Sequence, residues 1–215
     1  MSGDSFNQDP SQLRGEALDE TFVCSINSLD SKFALLSLHM MESTINYLFG
    51  DIEYMRSNLS LITKYGNEAQ GYFSMGFIQT WLALFQYECY HATGKRMHIR
   101  LARTSHRRVH FWSKTGTEML HGPNCLLDAM AQLCMCKSSS DELIFSFEEA
   151  AKACHTGKSR LFEALAYERL AKVLRMYDPP EMDRCSIFQN QAIAVYGKWG
   201  ANAKAEHLEN NFRNL

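Results

Sequence analysis

The chain has 215 residues, 46% of them hydrophobic and 21% charged, with a net charge of −2. That length can bury a sizeable core in one large or two small domains, and so even a charge does not by itself mark a nucleic-acid or membrane-surface binder. Seven cysteines, odd in number and set mostly in apolar stretches, fit small buried hydrophobes in a reducing compartment rather than a disulfide framework.

Residues 1–30 are polar at the start, without a signal-peptide pattern, and read as a flexible lead-in; 31–215 reads as one helical-repeat domain. Helical periodicity then runs on almost unbroken, with only four prolines in the whole chain. It predicts helices near 31–49, 51–65, 69–93, 95–115, 117–136, 140–156, 158–177, 180–199 and 201–212. Breaks fall at Gly50-Asp51, Gly94, Ser138-Ser139-Ser140-Asp141 and Asp178-Pro179-Pro180. The most apolar window, Gly71 to Phe85, carries Ser74, Gln79 and Thr80. It is too short and polar to span a bilayer, and a helix buried on two sides explains it better. No strand-like alternation of useful length occurs, so the expected fold is all-α and the expected location cytoplasmic.

Lys64-Tyr65-Gly66, Lys114-Thr115-Gly116, His155-Thr156-Gly157 and Lys198-Trp199-Gly200 each close a helical run. A cation near the last turn suits the exposed carbonyls, and glycine suits a left-handed cap. The glycines recur every 40 to 50 residues or so, about the length of two antiparallel helices with turns. The expectation is an α-solenoid of about four helix pairs. Aligned on the final glycine, the last two units set Phe145 opposite Phe188 and Ala153 opposite Tyr196, as inward positions. Trp81, Phe85, Trp112 and Trp199 are expected at helix–helix contacts.

Tyr196, Trp199-Gly200-Ala201, Ala203-Lys204 and Leu208, with Glu163-Ala164-Leu165-Ala166-Tyr167-Glu168-Arg169-Leu170-Ala171 before them, carry a family likeness. The stretch resembles the C-terminal repeats of the tetratricopeptide-like regions in large multidomain signalling ATPases, which join kinase-like or cyclase, ATPase and repeat modules. The resemblance covers about 95–212. It implies a non-catalytic scaffold for protein–protein interaction, with an ATPase or kinase module of a parent protein as one partner. The chain would then be the closing part of such a protein or a stand-alone remnant. Its units exceed the usual tetratricopeptide length and lack the Trp-x-x-Leu-Gly-x-x-Tyr run, so no peptide-groove residue carries over.

The residues themselves point to one candidate surface. No acidic residue lies between Glu88 and Glu118. Arg96, Arg100, Arg103, Arg107, His110 and Lys114 fall within roughly 40° of one line down a helix, with Leu101, Ala102, Ser105, Val109 and Trp112 opposite. Such a strip suits an acidic protein or peptide segment; an anionic surface or nucleic acid is the alternative. The structural counter-reading pairs the cations with Glu148, Glu149 or Glu163. Nucleic acid is disfavoured because stacking aromatics do not share the strip: Trp112 is expected on the core side and Phe111 at the edge.

Other motifs read as structure. Gly157-Lys158-Ser159 lacks the second glycine of a phosphate loop, since Lys152 stands there, and a helix cap fits it better. His106 and His110 share helical spacing but no sequence-near carboxylate, and Cys134 and Cys136 face different ways. Asp141-Glu142 and Glu148-Glu149 suit capping and solubility, and Asn58-Leu59-Ser60 is a chance glycosylation match in a cytosolic chain. Neither catalytic residues, a cofactor nor a metal is therefore expected.

Overall fold

The computed structural model describes residues 31–66, 74–135, 139–176 and 181–213. The expected lead-in, Cys136, Ser138 and the Asp178-Pro179-Pro180 break lie outside them. Among the described residues the chain is all-α, with nine helices and no strand. It divides into two compact units, Met1–Ile78 and Gln79–Leu215, each described by itself.

In the first unit, α1 (Lys32–Phe49) and α2 (Ile52–Tyr65) form a hairpin. Ser31 caps α1 by accepting from the Ala34 amide, and Asp51 caps α2 by accepting from Tyr54 at 2.9 Å. Between them Gly50 sits at φ 89°, which lets its own amide and that of Asp51 both bond the Asn46 carbonyl. Leu36, Met40 and Tyr47 of α1 and Met55, Leu59 and Ile62 of α2 are buried at helical spacing. Asn58 is buried and donates to Glu42, so the glycosylation match is a core position.

The second unit is built on α3 (Met75–Thr93), considered from Gln79 onward. Every residue from Ala83 to Cys89 is buried, so this helix is covered all round rather than on two sides. Around it follow α4 (Arg96–Lys114), a 3-10 turn (Glu118–Leu120), α5 (His121–Cys134), α6 (Ser140–Thr156), α7 (Arg160–Arg175), α8 (Met182–Trp199) and α9 (Asn202–Arg213). Helices α4 to α9 each pack on the next in the chain, and α5 also meets α7. Three later helices reach α3. His98 and His106 of α4 bond Gln86 and Tyr87, and Cys134 of α5 lies 3.8 Å from the Tyr87 carbonyl. From α7, Phe162 meets Trp81 at 5.3 Å between ring centroids, and Arg169 and Lys172 clamp Glu88. The α3–α7 contact links helices that are not chain neighbours, unlike a strictly neighbour-to-neighbour stack.

The helix ends correct the glycine rule in part. Gly116 and Gly200 are left-handed, at φ 109° and 91°, but Gly66 and Gly157 are not, at φ −59° and −76°. After α6 the left-handed residue is Lys158, at φ 56°. Phe145 is the second correction: it is 66% exposed, because α6 buries Leu143, Ile144, Phe147, Ala150, Ala151 and Cys154 instead. Phe188 and Tyr196 are buried as expected, whereas Trp199 is 48% exposed. Predicted helix 117–136 starts late, its first residues forming the 3-10 turn. Pro123 falls in the first turn of α5, where its missing N–H has no helical partner to lose.

Candidate functional site

Helix α4 has one face fixed by the core. His98, Ala102, Ser105, His106 and Val109 are buried at steps of one to four residues, which orients the rest of the helix outward. The two buried histidines are held by name: His98 Nδ1 lies 2.7 Å from Gln86 Oε1, and His106 Nδ1 lies 2.9 Å from Tyr87 Oη. On its other side His106 Nε2 stands 3.3 Å from Asp128 of α5. Burial, reinforced by Cys134, pushes the Tyr87 hydroxyl above its usual range, so it stays protonated beside His106. His110 faces Asn124 at 3.4 Å. The two histidines thus serve different helix contacts, and no group of three metal-ligating side chains occurs among the described residues.

The outward face is cationic from end to end. Arg96, Arg100, Arg103, Arg107, Arg108, His110 and Lys114 are all exposed. Arg107 Nε donates to the Arg103 carbonyl at 3.2 Å, which stiffens that part of the row. The acids proposed to neutralise the strip are engaged elsewhere or stand alone. Glu163 is buried between His155 and Arg160, at 2.9 and 2.8 Å, and Glu149 pairs with Lys152. No ion pair among the described residues involves Arg96, Arg100, Arg103, Arg107 or Lys114.

Sequence reasoning misplaced Leu101, one of the apolar side chains beside the strip, whereas Phe111 lies outside the core as expected. Leu101, expected on the core side, is 43% exposed, and Met97 and Phe111 are 59% and 63% exposed. Trp112 is half-buried and joins Thr104, Arg107, Arg108 and Phe111 around a shallow depression of about 340 Å³. The available signal was the step from Met97 to Leu101 and from Arg108 to Phe111, which places them on a flank rather than beneath the helix.

The polar residues of the C-terminal likeness form a lock. Glu168 accepts hydrogen bonds from Tyr196 and from Lys204, each at 2.8 Å, tying α7 to α8 and α9. Burial lowers the Lys204 ammonium pKa and the Glu168 carboxylate opposes that shift. Gly200 supplies the left-handed turn that brings α9 back, and Gln189 donates to the Leu208 carbonyl at 3.0 Å. Tyr196, Gly200 and Lys204 therefore have packing roles in this chain.

The remaining motifs fall into ordinary places. Gly157-Lys158-Ser159 is the turn between α6 and α7, its Ser159 amide bonded to the Cys154 carbonyl. Ser139 and Glu142 form a reciprocal capping box at the start of α6, and Asp141 binds Arg184 of α8 at 3.0 Å. Cys89, Cys125, Cys134, Cys154 and Cys185 form no disulfide with one another, and burial pushes the Cys154 thiol well up. No helix among the described residues is long and apolar enough to cross a membrane. Neither a family model, a curated protein nor a solved structure matches the chain.

Proposed function

We propose that the chain is a non-catalytic helical-repeat scaffold, a tetratricopeptide-like array of about four helix pairs, that captures a protein partner through its acidic segment. One observation carries the reading: α4 presents Arg96, Arg100, Arg103, Arg107 and Lys114 outward with no acidic partner among the described residues. Five solvent-facing cations at helical spacing repel one another, and an incoming carboxylate row relieves that repulsion. The order of packing, each helix from α4 to α9 on its successor, supports the paired architecture, with the α3–α7 contact as a tight curl of the stack. The interior carboxylates fit a non-catalytic role, since Glu88 and Glu168 each bond to neighbouring helices. The likeness to signalling ATPases makes an ATPase or kinase module of a parent protein one candidate partner, and cysteines used as buried packing groups fit a cytoplasmic setting.

Charge reversal tests this. Arg100→Glu, Arg103→Glu and Arg107→Glu together should abolish partner capture from a cell extract while helix content by circular dichroism is unchanged. Unchanged capture removes α4 from the function. A second reading has its own support, since exposed Phe111 beside Arg107 and Arg108 is a stacking ring among cations. For nucleic acid, affinity would fall steeply with salt and sequence-independently.

A further inference from the structure

Resting on that reading, we infer that the acidic partner of α4 docks as an amphipathic helix, with its apolar stripe on Met97, Leu101 and Phe111 and its carboxylates on the arginine row. Two rows run side by side along the same 19-residue helix. One is Arg96, Arg100, Arg103, Arg107 and Lys114; the other is Met97, Leu101, Thr104, Arg108 and Phe111, again in steps of three or four residues. Each row extends for most of about 28 Å, advancing about 5 Å per step. The apolar members are exposed at 59%, 43% and 63%, and all three lie on one flank of one helix.

A partner helix presents side chains at the same advance, with an apolar stripe and an acidic row alongside, so it satisfies both rows at once. An extended chain repeats its side chains every 6.7 Å or so on one face and falls out of step within a few contacts. A bilayer calls for a continuous outward apolar face flanked by cations, whereas the row of Met97, Leu101 and Phe111 is interrupted by Thr104 and Arg108. Single-stranded nucleic acid would use Phe111 but has no use for Met97 and Leu101. Charge selects the sign of the partner, since this segment contains no acid at all.

The test uses the full chain and a fluorescent synthetic peptide of about six helical turns. The peptide has leucines on one stripe and glutamates beside it, and is compared with a scrambled peptide of equal composition. A single-stranded oligonucleotide of equal charge and anionic phospholipid vesicles complete the probe set. Anisotropy should show the patterned peptide bound at least about tenfold tighter than the scrambled one. Met97→Gln, Leu101→Gln and Phe111→Ser together, all at exposed positions, should erase that difference while circular dichroism stays unchanged. Equal binding of both peptides that vanishes on charge reversal overturns the helical partner but leaves an acidic partner standing. Binding that survives charge reversal overturns both. Tighter binding of oligonucleotide or vesicles, no binding of the patterned peptide, or salt-sensitive self-association that the charge reversal abolishes, also overturns the inference.

Discussion

Glu88→Gln probes the core on which α4 is mounted. The Glu88 side chain is 7% exposed and accepts from Arg169 Nη1 at 2.9 Å and Lys172 Nζ at 2.8 Å. Burial alone would raise its pKa; Arg169 and Lys172 more than reverse this and hold it at about 2, against 4.5 for an ordinary glutamate. With the folded value below the unfolded one, the unfolded chain takes up more protons as pH falls through that window. The carboxylate's contribution is therefore complete above the unfolded pKa and is lost as pH drops through about 2. The shift corresponds to about 3 kcal/mol in full, of which about 2 kcal/mol is already lost at pH 3. All three tryptophans, Trp81, Trp112 and Trp199, lie in the second unit, so their fluorescence during urea unfolding reports this unit. Glu88→Gln should destabilise by about 3 kcal/mol at pH 7, because Arg169 is left buried beside a neutral amide. Its further loss between pH 7 and pH 3 should be smaller than the native chain's by about 2 kcal/mol. Equal stability at pH 7, or an equal loss at pH 3, would refute the assignment of this ion cluster as a clamp between α3 and α7.

Two packing predictions follow from geometry. Gly122→Ala would place its Cβ 2.7 Å from Cys154 Cα and 2.8 Å from Cys154 N, so α5 and α6 must separate. It should cost about 2 kcal/mol by urea midpoint, whereas Gly197→Ala, with nothing within 4 Å, should be neutral or stabilising. Phe145→Ser should change stability by less than about 0.5 kcal/mol. Phe147→Ala, at a fully buried position two residues on, should cost about 3 to 5 kcal/mol in the same assay.

The helices were legible because periodicity and the scarcity of proline are properties of local sequence, and α1 to α9 fall close to the predicted runs. The internal register was less legible, for a reason visible at one residue. Glycine was used as the marker of each helix end, but the physical marker is the left-handed residue, and after α6 that is Lys158. Setting Lys158 rather than Gly157 opposite Gly200 puts Leu143 opposite Cys185 and Phe147 opposite Gln189. The same shift sets Ala150 opposite Ala192 and Cys154 opposite Tyr196, and all eight are buried. Phe145 drops out of the core under this shift, as observed. The basic strip was readable at once, since charge needs no tertiary information. What covers the neighbouring flank does need it: a period alone cannot show whether Leu101 and Phe111 meet another helix or water. The polar pairs joining distant helices, Glu88 with Arg169 and Glu168 with Lys204, gave no local signal either.

Oxidative footprinting of the chain with and without its captured partner tests the α4 surface most directly. Met97 and Phe111, both exposed in the free chain, should be protected on capture, while the equally exposed Phe145 and Ile187 on α6 and α8 keep their reactivity. Protection of Phe145 and Ile187 with Met97 and Phe111 unchanged would contradict the account and move the interaction to another face.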